Sequence, residues 1–157
     1  MQGDEGYRRA LGFTALMQST GPGERAYADS GFFTETMEES EKMRALLQRL
    51  YTTTRDKGHA SLSNRFLYGS DWEMTLTHGR VDRYLSAFEG LFERMAGERL
   101  AGGEGAPTLS RKFFGANAVA YAGLRAGEKT RARLQAFYDL HRVATPEWTR
   151  KVDSLPA

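Results

Sequence analysis

Arg65-Phe66-Leu67-Tyr68-Gly69-Ser70-Asp71-Trp72 is the stretch on which the fold turns. Phe66, Leu67 and Tyr68 carry the β-favouring bulk of a short buried strand, and Gly69 lets another backbone or a ligand come close. Asp71 then emerges where the strand becomes a loop. The strand ends by presenting a carboxylate.

The elements before it set the strand's surroundings. Tyr7, Leu11, Ala15, Leu16 and Met17 predict a helix with one buried stripe, stopped by Ser19-Thr20-Gly21-Pro22-Gly23. Arg25 to Asp29 predicts a second short strand, left through Ser30-Gly31-Phe32-Phe33. Thr36 and Glu39 have the spacing of a capping box, and Glu38, Glu39 and Glu41 suit the positive end of a helix dipole. The helix expected there carries Met43, Leu46, Leu47, Leu50 and Tyr51 on one face and ends at Lys57-Gly58-His59. A polar loop from Ala60 to Asn64 leads into a strand at 66–69. The order helix, strand, helix, strand favours parallel pairing.

After Asp71 the chain reads as helical. Val81, Tyr84, Leu85, Phe88, Leu91, Phe92 and Met95 form the clearest amphipathic stripe, closed by Gly97 and Gly102-Gly103-Glu104-Gly105. Ser110 is placed to cap a further helix with Phe113, Phe114, Ala116, Ala120 and Tyr121, ending at Gly123. A last helix around Leu134, Phe137, Tyr138 and His141 ends before Pro146, and the tail after Trp148 is expected to be loosely held.

Composition bounds the function. A chain of 157 residues is long enough for one domain with a real core. Its 40% hydrophobic and 27% charged residues are those of an ordinary soluble protein, with no apolar run near the ~20 residues of a membrane helix. No basic segment followed by an apolar one opens the sequence, so the cytoplasm is the expected location and a membrane partner is not expected. The absence of Cys excludes disulfides, thiolate nucleophiles and Cys-ligated zinc, leaving His, Asp and Glu for metal chemistry. A formal charge of +2 gives no reason to expect a nucleic-acid partner. The run Arg125, Lys129, Arg131, Arg133 reads as a solvated helix face.

Tyr27-Ala28-Asp29, a long helix, Phe66-Leu67-Tyr68-Gly69-Ser70-Asp71-Trp72, another helix and Phe114-Gly115-Ala116-Asn117-Ala118 together resemble the end of an amidohydrolase-like (amidohydrolase 2 type), metal-dependent TIM-barrel hydrolase. The resemblance implies an α/β fold, a partial (β/α)8 TIM barrel made of the last two strands with their helices plus carboxy-terminal helices. Residues 1–124 would be the carboxy-terminal part of that barrel, and residues 125–157 a helical extension of the same domain. By the same resemblance Asp71 closes the eighth strand. It would be metal ligand and general base for water attack on an amide, ester or lactone, and Asn117-Ala118 matches a pair in the helix beyond. The implied cofactor is a divalent metal, zinc foremost, and the implied partner is a small-molecule substrate. Some relatives in the superfamily instead remove carbon dioxide from aromatic acids, which makes decarboxylation the alternative reaction.

The sequence departs from that family at the metal site. No His-x-His occurs in the chain. One carboxylate falls short of the about three protein ligands of a catalytic metal. The isolated chain is therefore expected to bind no metal and to be inactive, the active parent enzyme needing ligands from elsewhere. Two strands against the roughly 200 or more residues of a whole barrel point the same way. Such a remnant leaves edges open, to be completed by a missing amino-terminal barrel segment or by self-association. A split-barrel subunit, or a non-catalytic α/β protein that binds a partner through its strand edge or aromatic helix face, are the other readings.

Each candidate residue also has a plainer role. Asp71 is a natural cap after a strand. Trp72, Glu73 and His78 are candidates for the substrate mouth, while a Trp there also suits packing, a Glu a surface charge and a loop His solvation. Asp29 ends the earlier strand as Asp71 ends the later one and is expected to bond loop backbone. Asn117 is expected to bridge helix and barrel. His59 and His141 are assigned no role.

Overall fold

The computed structural model describes residues 2–19, 21–54, 61–95 and 105–155. Ala28–Asp29 form β1 and Phe66–Leu67 form β2, paired in parallel with Ala28 opposite Phe66 and Asp29 opposite Leu67. Parallel pairing is as the order of elements predicts. Both strands are shorter than their side chains suggest: β1 starts only at Ala28, and β2 stops at Leu67, where a hydroxyl takes over from the ladder. Ser30 Oγ donates to the Gly69 carbonyl at 2.9 Å and accepts from the Gly69 N–H at 3.1 Å. At the entry to the sheet the buried Arg65 donates to the Ala26 carbonyl at 2.8 Å, with its guanidinium 5.1 Å from the Tyr27 ring centroid.

The rest is helical, giving a mostly helical α/β chain with one small parallel sheet. Before β1 come α1 (Gln2–Gln18) and a 3-10 turn (Gly21–Arg25). Between the strands lie α2 (Glu35–Glu38), α3 (Ser40–Thr54) and the single turn α4 (Leu62–Arg65). After β2 come α5 (Trp72–Thr75), a 3-10 turn (Val81–Arg83), α6 (Tyr84–Arg94), α7 (Ala106–Arg111), a π-helical turn (Lys112–Ala116) and α8 (Asn117–Ala122). The chain then runs through α9 (Lys129–Leu140) and α10 (Trp148–Asp153).

The periodicities of α3 and α6 are largely realised in the core, while Leu85 of α6, Ala15 and Leu16 of α1 and the apolar residues of α9 are not buried. Met43, Leu47, Leu50 and Tyr51 of α3 are buried, as are Tyr84, Phe88, Leu91 and Phe92 of α6. Phe113 stands at the centre. Its ring centroid lies 4.9 Å from Phe66, 5.1 Å from Phe88 and 5.2 Å from Phe92. Aromatic pairs at these separations add specific attraction beyond the area they bury. The Tyr68 N–H bonds the Phe113 carbonyl at 2.8 Å, so the π-helical turn also satisfies backbone just past β2.

Four local expectations are corrected. Thr36 caps nothing: it is the buried second residue of α2, and α3 begins only at Ser40. The connector expected to be loop through Asn64 is the helical turn α4 from Leu62. Ser110 lies inside α7, which starts at Ala106 behind Gly105 because Pro107 suits a first helical turn. The tail is not loose, since α10 buries Thr149 and Val152. Gly123 does end its helix, in a left-handed conformation with φ 65°. The expected stops at Lys57-Gly58-His59, Gly97 and Gly102-Gly103-Glu104 lie outside the described residues.

Candidate functional site

Asp71 sits at the carboxyl end of β2 with φ 44° and ψ 62°, a left-handed backbone at the head of α5. Aspartate tolerates that conformation better than most residues. The turn is held around it rather than by its side chain. The Asp71 carbonyl accepts the Thr75 N–H at 2.9 Å, and Thr75 Oγ1 donates to the Ser70 carbonyl. The Asp71 side chain makes no capping hydrogen bond and is exposed. It occupies the cap position without capping.

Asp29 stands beside it at the carboxyl end of β1, its Oδ1 accepting the Gly31 N–H at 2.7 Å. That is the loop-backbone bond the sequence predicts. Two glycines permit the approach of the acids. A β-carbon at Gly31 would lie 2.8 Å from Asp29 Oδ1 and 3.2 Å from Asp71 Cβ, and one at Gly69 would lie 3.1 Å from Asp29 Cβ. The sequence leaves the separation of the two acids open; the parallel register and these glycines bring them to one mouth.

Beneath that mouth Tyr84 holds the loop that leaves β1. Its hydroxyl donates to the Ser30 carbonyl and accepts the Phe33 N–H at 2.9 Å. Burial pushes the Tyr84 hydroxyl above the usual tyrosine range, so it stays a proton donor. Burial, with the Glu89 charge second, raises Tyr68 as well. Sequence reasoning places Tyr84 only in an apolar stripe, where its hydroxyl carries no visible signal.

The remaining candidates divide. Trp72 and Glu73 begin α5 and are exposed, Trp72 at 65%, so Trp72 is not spent on packing. His78 is engaged: its Nε2 lies 2.9 Å from Glu38 Oε1, and its Nδ1 accepts the Arg80 N–H at 3.2 Å, which leaves Nε2 as the donor. It ties the loop after α5 to α2. Asn117 donates to the Ser63 and Phe66 carbonyls at 2.8 and 2.7 Å, a buried brace between α8 and β2. His141 is exposed at the end of α9 with its ring 4.4 Å from Phe137, and His59 lies outside the described residues.

The described residues hold no group of three or more His, Asp or Glu placed to bind a metal. Asp71 and Asp29 are two carboxylates where about three protein ligands are usual, and Asp29 is partly committed to Gly31. These residues alone do not fit a catalytic metal, and no step through one follows from them.

On the far side of β1 no strand pairs with it among the described residues. A groove of about 990 Å³ runs there between α1 and α3, lined by Phe13, Met17, Tyr27, Phe33, Leu46 and Leu50 among others. No family model, curated protein or solved structure matches this chain. No helix among the described residues is long and apolar enough to cross a membrane.

Proposed function

We propose that the chain is the carboxy-terminal part of an amidohydrolase-like, metal-dependent barrel hydrolase, with Asp71 at the mouth of the last strand. The observation that carries this reading is the exposed, uncapped Asp71 carboxylate at the carboxyl end of a parallel strand, in a left-handed backbone. Carboxyl ends of parallel barrel strands are where catalytic groups stand. A carboxylate there accepts a proton from water attacking an amide, ester or lactone. Trp72 and Glu73 flank the same opening. Decarboxylation by a superfamily relative would use the same corner.

The open edge of β1 and the groove beside it give further strands of the same sheet a place to join. Metal ligands beyond Asp71 would arrive with those strands. The same groove favours a second reading, a non-catalytic α/β subunit that receives a partner's strand along β1.

Zinc titration of the purified chain, followed by the same titration on any longer product encoded in frame upstream of Met1, tests the proposal. The chain alone is expected to hold well under one tight ion. The longer product is expected to contain His-x-His, bind metal stoichiometrically and lose about 100-fold or more in kcat on Asp71→Asn. One tightly bound ion per isolated chain, or an upstream region with no continuing frame, overturns it.

A further inference from the structure

We propose that the cleft between α2, the start of α3 and α6 binds a small oxyanion, phosphate or the phosphate group of a monoester. This cleft, of about 210 Å³, is lined by Thr36, Ser40, Arg80, Arg83, Ser86 and Arg94. It involves neither Asp71 nor Asp29 and does not rest on the hydrolase reading.

Three observations converge on an anion. The first is charge. Three acids of the neighbouring segment already have basic partners: Glu38 meets His78 at 2.9 Å, Glu39 meets Lys42, and Glu41 meets Arg44 at 2.9 Å and Arg94 at 3.1 Å. Arg80 and Arg83 have no carboxylate within ion-pair distance among the described residues, so positive charge collects in the cleft without full balance. Guanidinium groups match the oxygens of a tetrahedral anion in paired hydrogen bonds, which makes arginine the usual reader of phosphate.

The second is Thr36. It is 1% exposed, lines the cleft, and its Oγ1 has no hydrogen-bond partner. Buried hydroxyls are almost always satisfied, so one left without a partner in the wall of this cleft points to a group that belongs there. The third is shape. Ser40 starts the 15-residue α3 and brings the positive end of its dipole to the wall of the cleft. The volume is below the roughly 300–1,000 Å³ of ordinary small-molecule sites, which suits a phosphate group.

The test is calorimetric titration of the full chain with inorganic phosphate and with glycerol phosphate, at ionic strength matched with chloride. Saturable binding of either probe is expected, with a rise in Tm that follows its concentration. Binding of both assigns the site to phosphate monoesters, and binding of inorganic phosphate alone assigns it to the free ion. The double substitution Arg80→Gln with Arg83→Gln is expected to weaken binding at least tenfold while leaving the phosphate-free Tm within a few degrees, because both side chains are exposed. Thr36→Val keeps shape and removes the hydroxyl, so it should weaken binding several-fold without lowering the phosphate-free Tm. No saturable binding of either probe, or unchanged affinity in both variants, overturns the proposal.

Discussion

The two flanks of the sheet are built differently. Beside β2 the Tyr68 N–H is bonded to the Phe113 carbonyl, and Phe88, Phe92 and Phe113 close over it with Phe113 only 1% exposed. Beside β1 no described strand follows, Phe13 of α1 lines an open groove at 47% exposure, and Leu16 of α1 is 51% exposed. One flank is closed over as a core, while on the other an open groove lies above the buried Met17, Leu47 and Leu50. The difference shows that an apolar stripe states which residues can be buried, while the number of layers packed on the sheet decides which of them are.

The largest effect that would break the comparison comes from matched truncations on the two flanks. Phe113→Ala removes the ring at the centre of the aromatic cluster and is expected to destabilise the fold by about 3–5 kcal/mol in urea unfolding. Phe13→Ala should stay within about 0.5 kcal/mol, as surface substitutions do. A cost of about 2 kcal/mol or more for Phe13→Ala would place the groove inside the core and erase the distinction.

Tyr84 joins the flanks, since α6 belongs to the covered side and the Ser30 and Phe33 backbone to the exit of β1. Tyr84→Phe leaves the Ser30 carbonyl and the Phe33 N–H with only their mutual 3.2 Å bond, at a cost of about 1 kcal/mol. The pH dependence follows from the raised hydroxyls. The folded forms of Tyr84 and Tyr68 titrate above the ordinary value of 10.0, so the stability tied to their protonated state is complete below about pH 10. It is lost as pH rises through the folded values, because the unfolded chain ionises first. In Tyr84→Phe the alkaline fall in stability should be shallower. An unchanged alkaline slope would mean that the hydroxyl clamp does not couple the two sides.

Legibility in the sequence follows the same divide. The stripes of α3 and α6 and the parallel order are visible because each repeats one signal over many residues. The strand lengths are not visible, because side chains take over the backbone at both ends of the sheet: Ser30 at Gly69 and Arg65 at the Ala26 carbonyl. Asp71 could be singled out by its place after an apolar run, while the bracing role of Asn117, whose partners Ser63 and Phe66 are distant in sequence, comes only from the family resemblance. The adjacency of Asp29 and Asp71 and the gathering of Arg80, Arg83 and Arg94 around Thr36 depend on register and helix packing, which no local spacing encodes. The Thr36 and Glu39 pair shows the reverse failure: the right spacing, overruled when α2 and α3 form as separate helices.

The smallest expected effect sharpens the comparison at the mouth itself, where the two flanks meet. Asp71 holds φ 44°, and its carboxylate gives nothing back through a capping bond. Asp71→Gly relieves the left-handed strain and adds unfolded-state entropy, two opposing terms each near 1 kcal/mol, so the net change should be within about 0.5 kcal/mol. Asp71→Ala keeps the strain without an aspartate's tolerance of it, and should fall about 1 kcal/mol below Asp71→Gly. A gap of that size with Asp71→Gly near neutral means that the fold does not require the aspartate, which leaves its carboxylate free for the proposed role. If Asp71→Gly instead costs as much as Asp71→Ala, the carboxylate braces α5 in solution, and the display of Asp71 as a catalytic group loses its structural argument.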